Sequence, residues 1–216
     1  RSSEHKALLV KGARQVGKTY LVNAFAHERF ENVVVFDMVE DRAARESFAA
    51  ATSADDLFLR MTVAASAPMV PGKTLVFIDE VQLCEGFEKA INSIHARGGW
   101  DVYLTGSNAF LLSSDLATLF TGRHREVHIL PFSFGEYRSY FGGQGAIDDD
   151  FDGFIRRGGL AGSYDYDDIS ESYGYIRDVY KTILTRDLVQ KFSLPDSTVL
   201  ERLAEYMMDN SGNLNS

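Results

Sequence analysis

The chain has 216 residues, 45% of them hydrophobic and 25% charged, which is the ordinary composition of a globular protein with a buried core. Its formal net charge of −9 disfavours non-specific nucleic-acid binding over the whole surface. No apolar run approaches the ~18 residues of a membrane helix, no signal peptide is visible, and the single cysteine, Cys84, excludes an internal disulfide and fits a reducing cytoplasm.

The first 130 residues alternate apolar strands with helical segments. Strands are expected at residues 6–12, 32–37, 74–79, 100–106 and 125–130. Helices are expected between them at residues 18–28, 39–50, 53–65 and 88–96. The helix at 18–28 is expected to present one apolar face, formed by Tyr20, Leu21, Ala24 and Phe25. This alternation predicts an α/β fold with a parallel sheet that helices cover on both sides.

The pattern changes after Pro131. Five aromatic residues in 131–141 are interpreted as core packing between two domains rather than a base-stacking platform, and residues 142–153 read as a polar loop. From about Phe151 the chain is expected to be helical, with a long helix at 170–192 and another at 196–208. We therefore predict an α/β core over residues 1–145 and a smaller helical domain over 146–216.

A phosphate-binding loop is the clearest motif. The segment "GARQVGKT" matches the pattern G-x-x-x-x-G-K-[ST] in full. Its glycines let backbone N–H groups approach phosphate oxygens, and the following helix directs its positive dipole end to the same place. The candidate nucleotide-binding residues are Gly12, Ala13, Arg14, Gln15, Val16, Gly17, Lys18, Thr19 and Tyr20. Lys18 would contact the β- and γ-phosphates, and the Thr19 hydroxyl would ligate Mg²⁺.

Two carboxylates follow the third apolar strand in "LVFIDE" (75–80). Asp79, at the strand end, would hold the metal, usually through water. Glu80 would act on the attacking water as its general base. The alternative is that both acids are merely solvated at a strand end.

In P-loop proteins whose catalytic glutamate directly follows the metal-binding aspartate, an additional strand usually lies between the loop strand and the acid strand. The similar adjacency of Asp79 and Glu80 therefore implies the strand order 5-1-4-3-2, with the fourth strand in that place. That strand would then deliver Thr105, Ser107 and Asn108 next to the γ-phosphate. Asn108 can hydrogen-bond the phosphate or the water in a sensing role; the alternative is an asparagine that caps a turn or helix.

At this point the sequence resembles a known family. "GARQVGKT", "FIDEVQ", "LTGSNAFLLSSDLATLFTGR" and "LPFSFGEY", in this order, are similar to AAA-type ATPases of bacteria and archaea. These are predicted AAA+ superfamily proteins with a C-terminal domain of uncharacterised function. The resemblance implies binding of ATP or ADP with Mg²⁺, hydrolysis on an AAA+ P-loop core, a helical lid and the start of a winged-helix-like region. Family members are typically longer, so the chain is expected to be a fragment; they also tend to have proline where this chain has Ala161.

The resemblance further places Arg123 where AAA+ proteins have an arginine that acts on the γ-phosphate, often of a neighbouring subunit. The alternative is an arginine that pairs with a surface acid such as Glu126. Arg156 and Arg157 are weaker candidates for a lid arginine that reports the nucleotide state. The five histidines lack zinc-ligand spacing with Cys84, and the acidic run at 148–152 is interpreted as a solvated interdomain loop.

Three functions remain open from the sequence. The leading hypothesis is a Mg²⁺-dependent ATPase in which hydrolysis moves the helical domain relative to the core. The second is a nucleotide-dependent switch that binds an unknown protein partner and seldom hydrolyses. The third is a nucleic-acid-handling protein whose contacts come from a missing C-terminal part. A homo-oligomer is compatible with each, and a membrane partner is not expected.

Overall fold

The structure is a computed structural model that describes residues 7–84, 87, 91, 94, 97–106, 124–143, 145–189 and 192–211. The chain divides into two compact units, Arg1–Pro131 and Phe132–Ser216, which are described separately below. The domain boundary predicted between residues 145 and 146 stays a prediction.

A five-stranded sheet forms the centre of the first unit. Its strands are β1 (Ala7–Gly12), β2 (Asn32–Asp37), β3 (Thr74–Asp79), β4 (Asp101–Thr105) and β5 (His124–Ile129). All four pairings are parallel, and the spatial order is β2-β3-β4-β1-β5. Read from the other edge this is 5-1-4-3-2, so the predicted order is confirmed. Every residue of β3 is buried, because this strand is paired on both sides and covered on both faces.

Three helices follow the early strands: α1 (Lys18–Arg29), α2 (Arg42–Ala49) and α3 (Ala54–Ala64). Ser53 caps the start of α3, since its hydroxyl accepts the Asp56 N–H. A short 3₁₀ turn (Val81–Leu83) follows β3. The helix predicted at 88–96 lies mostly outside the described residues.

The sheet buries a different set of side chains on each face. One face packs Leu9, Phe36 and Ile78 with Phe48 of α2 and Met61 of α3. The opposite face packs a smaller cluster of Val10 and Phe77 with Val22 of α1. Both clusters use alternate residues of the same strands, as the two-residue period of a strand requires.

The predicted apolar face of α1 is wrong. Val22 and Ala26 are the apolar residues it buries, whereas Tyr20 is 79% exposed and Leu21, Ala24 and Phe25 are also exposed. The buried face of α1 therefore carries small apolar residues, and its larger apolar residues lie on the exposed face. Of the exposed set, Phe25 still finds a partner, because its ring stacks on that of Tyr103 with centroids 5.9 Å apart.

The second unit is helical. It contains α4 (Phe134–Tyr140), α5 (Ile147–Arg157), a 3₁₀ segment (Ala161–Asp165), α6 (Ile169–Thr182), a π-helical continuation (Ile183–Val189) and α7 (Thr198–Asp209).

The polar loop predicted at 142–153 is wrong beyond its first residues, because α5 begins at Ile147. The acidic run therefore lies in the first turn of a helix and not in a loop. Carboxylates there interact favourably with the positive end of the helix dipole.

The aromatic residues after Pro131 pack within the second unit. Tyr137 and Tyr164 are both buried, with ring centroids 5.5 Å apart, and Phe132, Phe141 and Phe154 contact one or both rings. The Tyr164 hydroxyl donates to the Gly158 carbonyl oxygen at 2.7 Å, and burial is the main cause that raises the pKa of Tyr164 to about 12. These rings form a local core around one hydroxyl that stays protonated at neutral pH.

Two helical glycines should respond oppositely to alanine. Gly174 lies inside α6 and a Cβ there meets no atom within 4 Å, so Gly174→Ala should raise the free energy of unfolding by about 0.5–1 kcal/mol. Gly153 lies inside α5, and its Cβ would fall 2.7 Å from Oη of the buried Tyr137. Gly153→Ala should therefore lower the free energy of unfolding, because the clash with Tyr137 outweighs the benefit of alanine in a helix. Urea unfolding of both variants tests this, and an equal gain in stability from both would contradict the packing around Tyr137.

Candidate functional site

The glycine-rich segment forms a tight loop between β1 and α1. β1 ends at Gly12 and α1 begins at Lys18, and between them Gln15 and Gly17 adopt left-handed backbone conformations, with φ of 64° and 88°. Residues of this kind turn successive N–H groups toward one side of the loop, which forms a concave surface for an anion. The first N–H groups of α1 add to this surface, since they lack partners within the helix.

Gly12 has a packing role that the motif does not express. A Cβ at this position would lie 2.5 Å from the Ile129 carbonyl oxygen and 2.9 Å from Val16 Cγ2. Gly12 and Ile129 are partners in the β1–β5 pairing. The glycine therefore lets β5 and the returning loop approach the end of β1.

Lys18 lies beneath the loop and is only 6% exposed. Its Nζ donates hydrogen bonds to the carbonyl oxygens of Ala13 at 2.8 Å and Gly12 at 3.1 Å. The loop carbonyls thus hold a buried ammonium group at the predicted phosphate surface. A cation kept in a place of low dielectric constant attracts an anion more strongly than an exposed one does.

Thr19 and Asp79 are 60 residues apart in sequence and touch in the fold. The Thr19 Oγ1 donates to Asp79 Oδ2 at 2.8 Å, and Asp79 is only 6% exposed. A carboxylate and a hydroxyl oxygen are both ligands that Mg²⁺ accepts, and Mg²⁺ commonly keeps several waters and uses one or two protein groups. The pair therefore fits the metal that the sequence predicts.

Glu80 and Thr105 complete this edge of the sheet. Glu80 has a left-handed backbone, with φ 51° and ψ 50°, and its N–H donates to Thr105 Oγ1 at 3.1 Å. The same Thr105 hydroxyl donates to Asp79 Oδ1. Asp79 consequently accepts hydrogen bonds from two threonines, one on each carboxylate oxygen.

Gln82, which the sequence analysis did not identify, contacts Glu80, the candidate base. Its Nε2 donates to Glu80 Oε2 at 2.5 Å, while its buried Oε1 has no hydrogen-bond partner among the described residues. The only signal in the sequence was a glutamine two positions after Glu80 in "FIDEVQ". The side chain of Glu80 is therefore held from the 3₁₀ turn that follows it.

A second missed group joins β1 to β5 directly before the loop. Lys11 is buried, and its Nζ contacts Glu126 Oε1 at 2.7 Å, which is also 3.1 Å from His124 Nε2. The hydrogen bond from Lys11 is the main cause that holds the pKa of Glu126 below its usual range. Glu126, the suggested alternative partner of Arg123, is thus engaged with Lys11.

The other predicted residues fall into two groups: some lie outside the described residues, and two belong to the second unit. Ser107, Asn108 and Arg123 lie outside the described residues. Arg156 is exposed on α5, and the Arg157 guanidinium donates to the carbonyl oxygens of Tyr166 at 2.7 Å and Asp167 at 3.1 Å within the second unit.

A family model described as an AAA domain matches residues 4–138 of the chain. An uncharacterized protein of Haemophilus influenzae is 26% identical over 95% of this chain and 52% of its own length. An uncharacterized protein of Methanocaldococcus jannaschii is 26% identical over 63% of this chain and 29% of its own length. The chain thus spans about half, or less, of these relatives.

Among solved structures, C. elegans PCH-2 superposes with a TM-score of 0.42 at 15% identity, over 95% of this chain and 50% of that one. The S. cerevisiae Hsp104–ADP complex superposes with a TM-score of 0.45 at 15% identity, over 65% of this chain and 22% of that one. Within the described part of the chain, no helix combines the length and apolar character needed to cross a membrane.

Proposed function

The chain belongs to the AAA domain family, and we propose that it binds ATP with Mg²⁺ and hydrolyses it to ADP and phosphate. The observation that carries this proposal is the contact of Thr19 with Asp79, 2.8 Å across 60 residues of sequence. This contact brings the end of the glycine-rich loop and the end of β3 together, which supports the proposal that phosphate and metal bind at the same edge of the sheet.

Each residue has a distinct role in this proposal. The loop N–H groups and the Lys18 ammonium bind the phosphates, because they place positive charge in a buried concave surface. Thr19 and Asp79 hold Mg²⁺, which when bound neutralises charge that develops on the phosphate oxygens. Glu80 orients the attacking water and takes its proton through a carboxylate oxygen.

The remaining roles rest on the family resemblance and are proposals of the same kind. Asn108 would orient the water, and Arg123 would stabilise charge on the transferred phosphoryl group, from the same chain or from a neighbouring copy. Hydrolysis would be coupled to movement of the helical residues after 146. A preference for adenine is supported by the lack of an N-K-x-D base-reading motif in the sequence.

Glu80→Gln provides the test. It keeps the size of the side chain and removes the base, so we expect the rate of phosphate release at saturating ATP to fall by about 10²–10⁴-fold. Nucleotide affinity should stay within a few-fold, because the phosphate loop is unchanged. Phosphate release and binding of a fluorescent ATP analogue are measured in parallel.

Glu46→Gln is the matched control, since Glu46 is an exposed acid on α2 that pairs with Arg42. It should change neither quantity. A Glu80→Gln variant with wild-type turnover would contradict the assignment of Glu80 as the base. A wild-type chain that binds ATP without turnover would instead favour the nucleotide-dependent switch.

A further inference from the structure

Thr105 occupies a central position at the candidate site. It is the last residue of β4, and it lies beside Asp79 at the corresponding end of β3. Its side chain is completely buried, with 0% exposure. One hydroxyl group serves both acids, because it donates to Asp79 Oδ1 and accepts the Glu80 N–H at 3.1 Å.

We propose that Thr105 is a positioning residue that keeps the metal-binding carboxylate of Asp79 and the backbone of Glu80 in register. This inference rests on the proposed function, since it concerns how the same site binds Mg²⁺. It does not require Thr105 to contact phosphate, which is the placement that the sequence predicted for it.

The argument for Asp79 concerns the orientation of its carboxylate. Thr19 donates to Oδ2 and Thr105 donates to Oδ1, so both oxygens are fixed by hydroxyl groups. Thr19 is itself assigned as a metal ligand, whereas Thr105 is completely buried and donates to the other carboxylate oxygen, Oδ1. Thr105 is therefore the donor that can stay on Asp79 when metal binds. Loss of such an outer hydrogen bond typically lowers metal affinity or activity by about 10–100-fold.

The argument for Glu80 concerns its backbone. Glu80 is a non-glycine residue with φ of 51°, a conformation that requires support from its surroundings. The Thr105 hydroxyl supplies part of that support by accepting the Glu80 N–H. Any shift of Thr105 would thus be transmitted to the metal carboxylate and to the base together.

The chain contains a matched control for this proposal. Thr74 begins β3 and is 1% exposed. Its hydroxyl also links two groups, since it accepts the Val70 N–H and donates to the Pro68 carbonyl oxygen, each at 2.9 Å. Thr74→Val makes the same chemical change as Thr105→Val, at the opposite end of the same sheet.

The experiment titrates Mg²⁺ against binding of ATPγS, and compares wild type with Thr105→Val, Thr105→Ser and Thr74→Val. We expect Thr105→Val to raise the Mg²⁺ concentration at half-maximal binding by about 10–100-fold. ATPγS affinity without Mg²⁺ should change less than twofold. Thr105→Ser should return the Mg²⁺ midpoint to within threefold of wild type, because serine restores the hydroxyl. Thr74→Val should lower the thermal midpoint while leaving the Mg²⁺ midpoint unchanged.

A Thr105→Val variant with the wild-type Mg²⁺ midpoint would overturn the proposal, as would an equal shift in Thr74→Val. If Thr105→Val does not fold, Thr105→Cys replaces it, since a thiol is a weak donor of similar size. Failure of the proposed function has a different signature: the wild-type chain would not bind ATPγS with Mg²⁺ at all, and both proposals would fall together.

Discussion

Replacing Lys18 by methionine is expected to weaken ATP binding by about 100-fold or more. The ammonium group is buried and held at the phosphate loop by two backbone carbonyl oxygens. Its hydrogen bonds to phosphate would therefore be made by a charged donor that is shielded from solvent. Hydrogen bonds to charged groups contribute about 1.5–3 kcal/mol each, and two of them correspond to this loss. Equilibrium binding of a fluorescent ATP analogue gives the affinity.

Methionine retains the length and much of the volume of lysine. It removes a buried charge but also the donor of the Gly12 and Ala13 carbonyl oxygens, so we expect a loss of up to about 3 kcal/mol in the free energy of unfolding, which denaturant unfolding measures alongside binding. Lys73→Met is the control, because Lys73 is an exposed lysine that pairs with Glu31 on the surface. It should bind ATP as the wild type does. Retention of wild-type affinity by a folded Lys18→Met variant would contradict the assigned role of the loop.

Replacing Gly12 by alanine is expected to destabilise the chain by about 3 kcal/mol, a cost within the range for overpacking a tight position. The added Cβ would meet the Ile129 carbonyl oxygen at 2.5 Å, and that atom belongs to the backbone of β5 and cannot rotate away. Either β5 must move from β1 or the loop must open. Denaturant unfolding measures the loss of stability.

Gly17→Ala is the comparison, because Gly12 is required by lack of space, whereas Gly17 is favoured by its backbone conformation. Its φ is 88°, but no atom lies within 4 Å of the position that a Cβ would take. The loss in the free energy of unfolding should therefore be only about 1 kcal/mol, which is the energy needed to hold a residue with a side chain in a left-handed conformation. Equal losses in the two variants would show that the approach of β5 to Gly12 does not matter for stability.

Much of the fold follows from periodicity and composition. Five apolar segments, each a short run separated from the next by helical patterns, predict a parallel sheet without further information. The confirmed strand order needed one more observation, the direct succession of Asp79 and Glu80, from which we inferred that a further strand lies between β1 and β3. The sequence also indicated that Lys18, Thr19, Asp79 and Glu80 act together, and the structure brings Thr19 against Asp79.

The two wrong predictions have different physical origins. The apolar face of α1 was chosen by residue size, yet the apolar residues that the helix buries are Val22 and Ala26. The start of α5 was placed too late, because three consecutive aspartates suggested a loop when they occupy the favourable first turn of a helix. The buried face of a helix depends on contacts with other segments, which a local residue pattern does not contain. Acidic residues in a first turn are instead a local signal, and here they were interpreted as a loop.

The local sequence determined which groups are present and roughly where each element ends, because backbone conformation, strand periodicity and the glycine pattern are properties of short segments. Only the tertiary structure decided how those ends support one another. Thr105 serves Asp79 and Glu80 because β4 lies beside β3, Gln82 holds Glu80 because the chain turns immediately after the strand, and Gly12 must be small because Ile129 of β5 lies against it. The contacts of Thr105 and Gly12 join residues 25 to 117 positions apart, so no short window of sequence contains both partners. The contact of Gln82 with Glu80 spans only two positions, and it depends on the turn that the chain makes after β3.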